Sequence, residues 1–126
     1  MSDQIDQFYV FEHPAFNDAH DAQRQSRLYG FRYLTDHSRY ASLCDRLKQA
    51  FPASELEEAF ERPLESVPDN SALYVLNMRK PARETVLPTL LSEAVALGFS
   101  VLDDQQGRCH CPAGVWTVDG LQPHAR

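Results

Sequence analysis

Cys109 and Cys111 flank His110 in the stretch "VLDDQQGRCHCPAG", residues 101–114, which also carries Asp103 and Asp104. Thiolates and imidazoles are zinc ligands, and paired thiols carry out redox exchange. Zinc, however, takes about four ligands converging on one point. In a β-strand, successive side chains alternate, so Cys109 and Cys111 point to one face and His110 to the other. The three therefore cannot close on one metal. The chain has only three cysteines. The remaining one, Cys44, falls on a helical pattern that is placed to pack over the same sheet face, but a site of Cys44, Cys109 and Cys111 still lacks a fourth ligand. No Cys-x-x-Cys spacing supports a thioredoxin-like centre. The thiols are expected to act as small buried apolar groups, and neither a metal nor a cofactor is expected.

The other chemistry-bearing residues are equally dispersed. Of His13, His20, His37, His110 and His124, no two stand at the i, i+4 spacing of a metal-binding helix face. His13 and His20 lie near Asp18 and Asp21 and read as solvated loop residues. There is no Gly-x-Ser-x-Gly, no His-Glu-x-x-His and no glycine-rich phosphate loop. No catalytic set emerges, so the chain is not expected to be an enzyme. Arg79, Lys80 and Arg83 cluster where a strand feeds a helix, an arrangement that suits an anion. They support one reading, a sensor or regulatory domain for an anionic metabolite. The alternative for these three residues is a solvated basic turn.

Charge is segregated along the chain. Residues 24–48 hold Arg24, Arg27, Arg32, Arg39, Arg46 and Lys48 against Asp36 and Asp45. Residues 49–72 hold Glu55, Glu57, Glu58, Glu61, Glu65 and Asp69 against Arg62 alone. Asp103 and Asp104 add a second acidic point at a hairpin. Such fields steer an oppositely charged protein partner, although glutamates in a first helical turn also answer the helix dipole.

These residues must be positioned by local elements. "QFYVFEHP" reads as a strand stopped by Pro14. Asn17 is a cap for a surface helix through "DAHDAQRQSRLYG", closed by Gly30, with a structured loop as the alternative because apolar positions there are sparse. "FRYLT" alternates like a short strand. Ser38 is expected to cap a helix over "RYASLCDRLKQAF", where Tyr40, Leu43, Cys44, Leu47 and Phe51 fall on one helical face. "SELEEAFERP" carries a Ser54–Glu57 capping box, with Leu56, Ala59 and Phe60 facing inward. "ALYVLNM" is continuously apolar and is expected at the centre of the sheet. A helix starts close to Thr85, because Pro88 is tolerated only in a first turn. Its buried stripe is Leu87, Leu90, Leu91, Ala94 and Leu97, and Gly98 is its left-handed stop. "FSVLDD", "QQG" and "RCHCP" form a hairpin turning at Gly107, and "GVWTVDG" supplies an edge strand.

The order predicts one α+β domain over residues 1–126: a two-layer, mostly antiparallel sheet with helices on one face, broadly ferredoxin-like. Bulk composition agrees. The chain has 126 residues, 43% hydrophobic and 24% charged, as in ordinary globular domains. A net charge of −6 argues against a general nucleic-acid binder. No apolar run approaches the ~20 residues of a membrane span. The acidic start "MSDQIDQFYVFEHP" is unlike a secretory signal, and the odd cysteine count fits a reducing cytoplasm.

The segment "VLPTLLSEAVALGFSVLDDQQGRCHCPAG" combines an alanine-bearing helix, a Leu-Gly-Phe step, a strand ending in Asp-Asp-Gln and a short return strand. It resembles small bacterial immunity proteins, which neutralise toxins delivered between competing cells, type VI secretion effectors among them. The resemblance covers residues 72–114, with "FYVFEHP" and "LCDRLKQAFP" fitting the general layout. It implies a cytoplasmic, non-enzymatic protein that binds a cognate toxin and occludes its active site. On that reading Glu55, Glu57, Glu58 and Glu61, with Asp103 and Asp104, meet a basic toxin cleft.

Overall fold

The computed structural model describes residues 4–13 and 16–124. β1 (Ile5–Phe11) leads into α1 (Ala19–Gly30), α2 (Ser38–Ala50), α3 (Ala53–Ala59) and one 3-10 turn (Leu64–Ser66). β2 (Tyr74–Arg79) is followed by α4 (Ala82–Thr85) and α5 (Leu87–Ala96). The chain ends in β3 (Ser100–Asp103), β4 (Arg108–Cys111), β5 (Gly114–Thr117) and β6 (Gly120–Gln122). All six strands form one sheet in the order β2-β1-β3-β4-β5-β6, and every pairing is antiparallel. This is the expected α+β architecture. Its element order differs from β-α-β-β-α-β, so the kinship with the ferredoxin-like plan stays at the level of helices on an antiparallel sheet.

Strand alternation builds two cores. Asp6, Phe8 and Val10 of β1 point to one face, and Tyr9 and Phe11 to the other. On the first face Phe8, Val10, Leu76, Met78 and Val101 pack against Leu43 and Leu47 of α2, Phe60, and Leu87, Leu90 and Ala94 of α5. Tyr40 stacks on Tyr74 there at 4.3 Å between ring centres. On the second face Phe11, Leu102, Cys109 and Cys111 pack against Ala22 and Tyr29 of α1. The helical layer expected on one face is thus α2 to α5, and α1 adds a smaller layer on the other.

Several elements depart from expectation for identifiable reasons. β2 is an edge strand rather than a central one. Its outer edge is closed by the residues after α3: Phe60 bridges Met78, and the Glu61 amide donates to the Asn77 carbonyl at 2.9 Å. α1 is capped by Asp18, whose carboxylate accepts from the Asp21 amide at 2.7 Å. The expected cap, Asn17, instead donates its own amide to the Asp21 carboxylate at 2.9 Å. Residues of "FRYLT" contribute only an isolated bridge, Tyr33 to Ser71. α2 begins at Ser38 with His37 as its cap residue, and Asp36 accepts from the Ser38 amide at 3.0 Å. The Ser54–Glu57 box does not form, because α3 starts one residue before Ser54 and is capped by Pro52. The helix expected to start close to Thr85 begins at Leu87 as α5, with Pro88 in its first turn, and the residues just before it form a separate short helix, α4. Gly98, at φ +91°, is the left-handed stop, and Gly107, at φ +62°, makes the β3–β4 turn, as expected. "GVWTVDG" and the residues after it give two strands, β5 and β6. Pro14 lies outside the described residues.

Candidate functional site

The acidic segment sits at one end of β2. Its backbone is pinned by Arg79, which does not face solvent as a free cation. Arg79 Nη1 lies within hydrogen-bond reach of three carbonyl oxygens, those of Glu57 (2.9 Å), Glu58 (2.9 Å) and Phe60 (3.0 Å). These are the unpaired carbonyls at the C-terminal end of α3, where a cation is favoured by both hydrogen bonding and the helix dipole.

With its backbone so fixed, α3 presents its carboxylates outward. Glu57, Glu58 and Glu61 are exposed and Glu55 is half-buried. Glu55, Glu58 and Glu61 line an open groove of about 1240 Å³ together with Gln7, Asn77 and Arg79. Gln7 donates to the Asn77 side chain at 3.1 Å and accepts from the Tyr9 hydroxyl at 2.6 Å, so both amides are held in fixed orientation. Glu57 faces a smaller hollow of about 390 Å³ shared with Glu61 and Glu65. Among the described residues, none of Glu55, Glu57, Glu58 and Glu61 enters an ion pair. Glu65 differs: it binds Lys48 at 2.5 Å, and that ammonium holds its carboxyl below the usual glutamate range.

The hairpin does not extend this surface. Asp103 is 2% exposed. Its Oδ2 accepts from Arg83 Nη2 at 2.6 Å, and Arg83 Nη1 donates to Asp6 Oδ2 at 2.8 Å. One guanidinium therefore bridges two buried carboxylates from β1 and β3. Asp103 points inward because it shares the face of Val101 and Phe8. Asp104, next in the chain, is exposed but lies beside α1, where it accepts from Gln23 at 3.1 Å.

The basic trio does not converge as an anion site. Arg79 is spent on the α3 carbonyls and Arg83 on Asp6 and Asp103, leaving Lys80 as the exposed cation. The cysteines are likewise divided. Cys109 and Cys111 point to one face and His110 to the other, as alternation requires. Cys44, however, belongs to the opposite core from Cys109 and Cys111, not to the same sheet face. Burial pushes the Cys44 thiol up to about 11, raises Cys109 further, and lowers His110 toward its neutral form.

Two groupings escaped sequence reasoning. The Asp6–Arg83–Asp103 cluster had a signal in β1, where Asp6 shares the inward parity of Phe8 and Val10. The pair around His37 had none. His37 Nε2 lies 2.6 Å from the Asp69 carbonyl, which only accepts, so Nε2 is the donor there, and Nδ1 lies 2.7 Å from the Tyr74 hydroxyl.

Compared with known proteins, the chain matches no family model, no curated protein and no solved structure. Among the described residues, no helix is long and apolar enough to cross a membrane.

Proposed function

We propose that the chain is an immunity protein that binds a cognate bacterial toxin and blocks its active site with the acidic surface of α3. One observation carries the reading. The carboxylates of Glu55, Glu58 and Glu61 line one groove unpaired, while Arg79, the cation among them, is consumed by backbone carbonyls. The groove therefore presents net negative charge on a fixed frame, which suits a basic cleft on a protein partner. The resemblance of residues 72–114 to small bacterial immunity proteins supports the same reading, and three buried thiols fit a reducing cytoplasm. The reading requires no catalysis by this chain.

The partner to test is the protein encoded by the neighbouring reading frame. Glu57→Lys, Glu58→Lys and Glu61→Lys, singly and together, are expected to weaken binding and slow association at low salt. The difference should shrink as salt screens the exposed charges. Unchanged affinity and association rate of the triple variant at low salt would overturn the acidic-surface mechanism.

A further inference from the structure

α3 is a ridge between two recesses. On one side lies the groove that holds Glu55, Glu58 and Glu61; on the other is the hollow of about 390 Å³ that Glu57 and Glu61 line. The hollow is apolar inside, where Phe51, Leu56, Phe60 and Leu64 line it, and exposed Ala53 stands at its mouth. Phe60 and Leu64 are buried and Phe51 and Leu56 half-buried, all four packing with the core under α2 and α5. Its volume is near the lower end of the range of about 300–1,000 Å³ typical of binding pockets.

The walls of the hollow are held in place. The Phe60 amide donates to the Leu56 carbonyl at 3.1 Å, and the Phe51 amide to that of Leu47 at 3.0 Å. The Tyr40 hydroxyl donates to the Leu64 carbonyl at 2.8 Å, tying the 3-10 turn to α2. Arg79 holds the end of α3 through its carbonyls. A recess already formed loses little order when it is filled, and an apolar anchor seated in such a recess and ringed by polar contacts carries much of the binding energy of a protein interface.

Charge selects the occupant. The cations that line the two recesses are Lys48, Arg62 and Arg79, and each is engaged. Lys48 is paired with Glu65, Arg79 bonds the α3 carbonyls, and Arg62 bonds the hydroxyl and carbonyl of Ser66. Glu55, Glu57, Glu58 and Glu61 enter no ion pair among the described residues. Five carboxylates thus face three cations, and the four unpaired ones surround an apolar recess. We propose that the hollow seats one aromatic or branched aliphatic side chain of a protein segment, with lysines or arginines beside that anchor meeting Glu57 and Glu61 at the rim. A protein segment fits better than a small amine, because the free carboxylates lie on both sides of a helix about 10–12 Å across. The proposal rests on the toxin-binding reading of α3 for the identity of the partner, and adds to that reading an anchor and its chemistry.

The test is an NMR titration of the full chain, read at its backbone amides, with the capped tripeptide Lys-Phe-Lys. The controls are capped Glu-Phe-Glu, capped Lys-Ala-Lys and phenethylamine, all at about 0.05 M salt. Lys-Phe-Lys should shift the amides of Phe51, Leu56 and Leu64 saturably, and each control should bind at least about tenfold more weakly. Glu57→Gln with Glu61→Gln should weaken Lys-Phe-Lys at least about threefold, and Ala53→Trp, which fills the mouth, at least about tenfold. All three side chains are exposed, so the remaining amide spectrum should keep the parent's dispersion. No saturable shift at these amides, equal binding of either control tripeptide, or undiminished binding by Ala53→Trp would overturn the proposal. Tighter binding of phenethylamine would also overturn it and give the hollow to a small amine. The two readings fail separately. If the lysine variants of α3 lose the neighbouring frame's protein but Lys-Phe-Lys shifts nothing, the acidic surface stands and the anchor falls. If Lys-Phe-Lys binds as expected and that protein does not, the anchor stands and the toxin reading falls.

Discussion

Arg83 stands between two carboxylates that water barely reaches. Its side chain is 17% exposed, and those of Asp6 and Asp103 are 6% and 3%. Burying charge is costly unless each group is paired, and removing one partner strands the others. Arg83→Met should therefore destabilise the protein by about 3–5 kcal/mol in urea unfolding. Adding Asp6→Asn and Asp103→Asn should recover much of that loss, because no stranded anion then remains. A loss that persists undiminished in the triple variant would mean that packing of the arginine stem, not its charge, is what matters. At this scale the sequence was partly legible. The opposed faces of His110 and its flanking cysteines follow from alternation alone. Asp103 reads with Asp104 as the acidic point of a hairpin, although the same alternation, carried forward from Val101, puts it inside.

α1 shows how a helix end depends on pairs rather than on single residues. Asp18 accepts from the Asp21 amide, a donor the helix leaves open, and Asp21 in turn takes the backbone amide of Asn17, which lies just before the helix. The Asn17 amide, followed by Gln25 and Arg24, holds the Asp21 carboxyl below the ordinary aspartate range. A carboxyl depressed by folding contributes stability above its unfolded value, about 3.9, and loses it as pH falls through the lower folded value. Asp21→Asn should therefore be less stable than the parent at neutral pH, with the gap closing in acid. Urea midpoints across that range will show it, and a gap independent of pH would refute it. Helix existence was readable from spacing for α2, in its stripe of Tyr40, Leu43, Cys44 and Leu47, whereas α1, with few apolar positions, is bounded only by Asn17 and Gly30 and stays open between a helix and a loop. Caps were not readable, since Asn17, Ser38 and Ser54 all have suitable side chains and the choice depends on where the chain enters the helix. The start of α5 was legible, because Pro88 is tolerated only in a first turn, but the short α4 before it was not.

The molecule as a whole is a sheet with a core on each face, and its thiols are shared between them. Cys44 lies in the core under α2 and α5, Cys109 and Cys111 in the core under α1, and all three are buried. A thiol reagent should consequently react slowly, at rates limited by opening of the fold. Cys44, raised to about 11, stays almost wholly protonated near neutral pH even when reached. Labelling followed by mass spectrometry should show all three sites protected in native buffer and fully reactive in denaturant. Rapid native labelling of any one would contradict the packing. The sheet's composition was legible in its apolar runs, but its order was not. β2 reads as a central strand because its edge is covered, and it is covered by Phe60 and Glu61, which no run of strand residues announces. That cover bears on how the protein behaves in a crowd of its own copies. A sheet recruits other chains through unpaired edges. One edge here is closed by Phe60 and Glu61, and the other is a strand of three residues, Gly120–Gln122, followed by Pro123, which has no amide hydrogen to offer. Neither end offers a long unpaired template for strand addition by another copy.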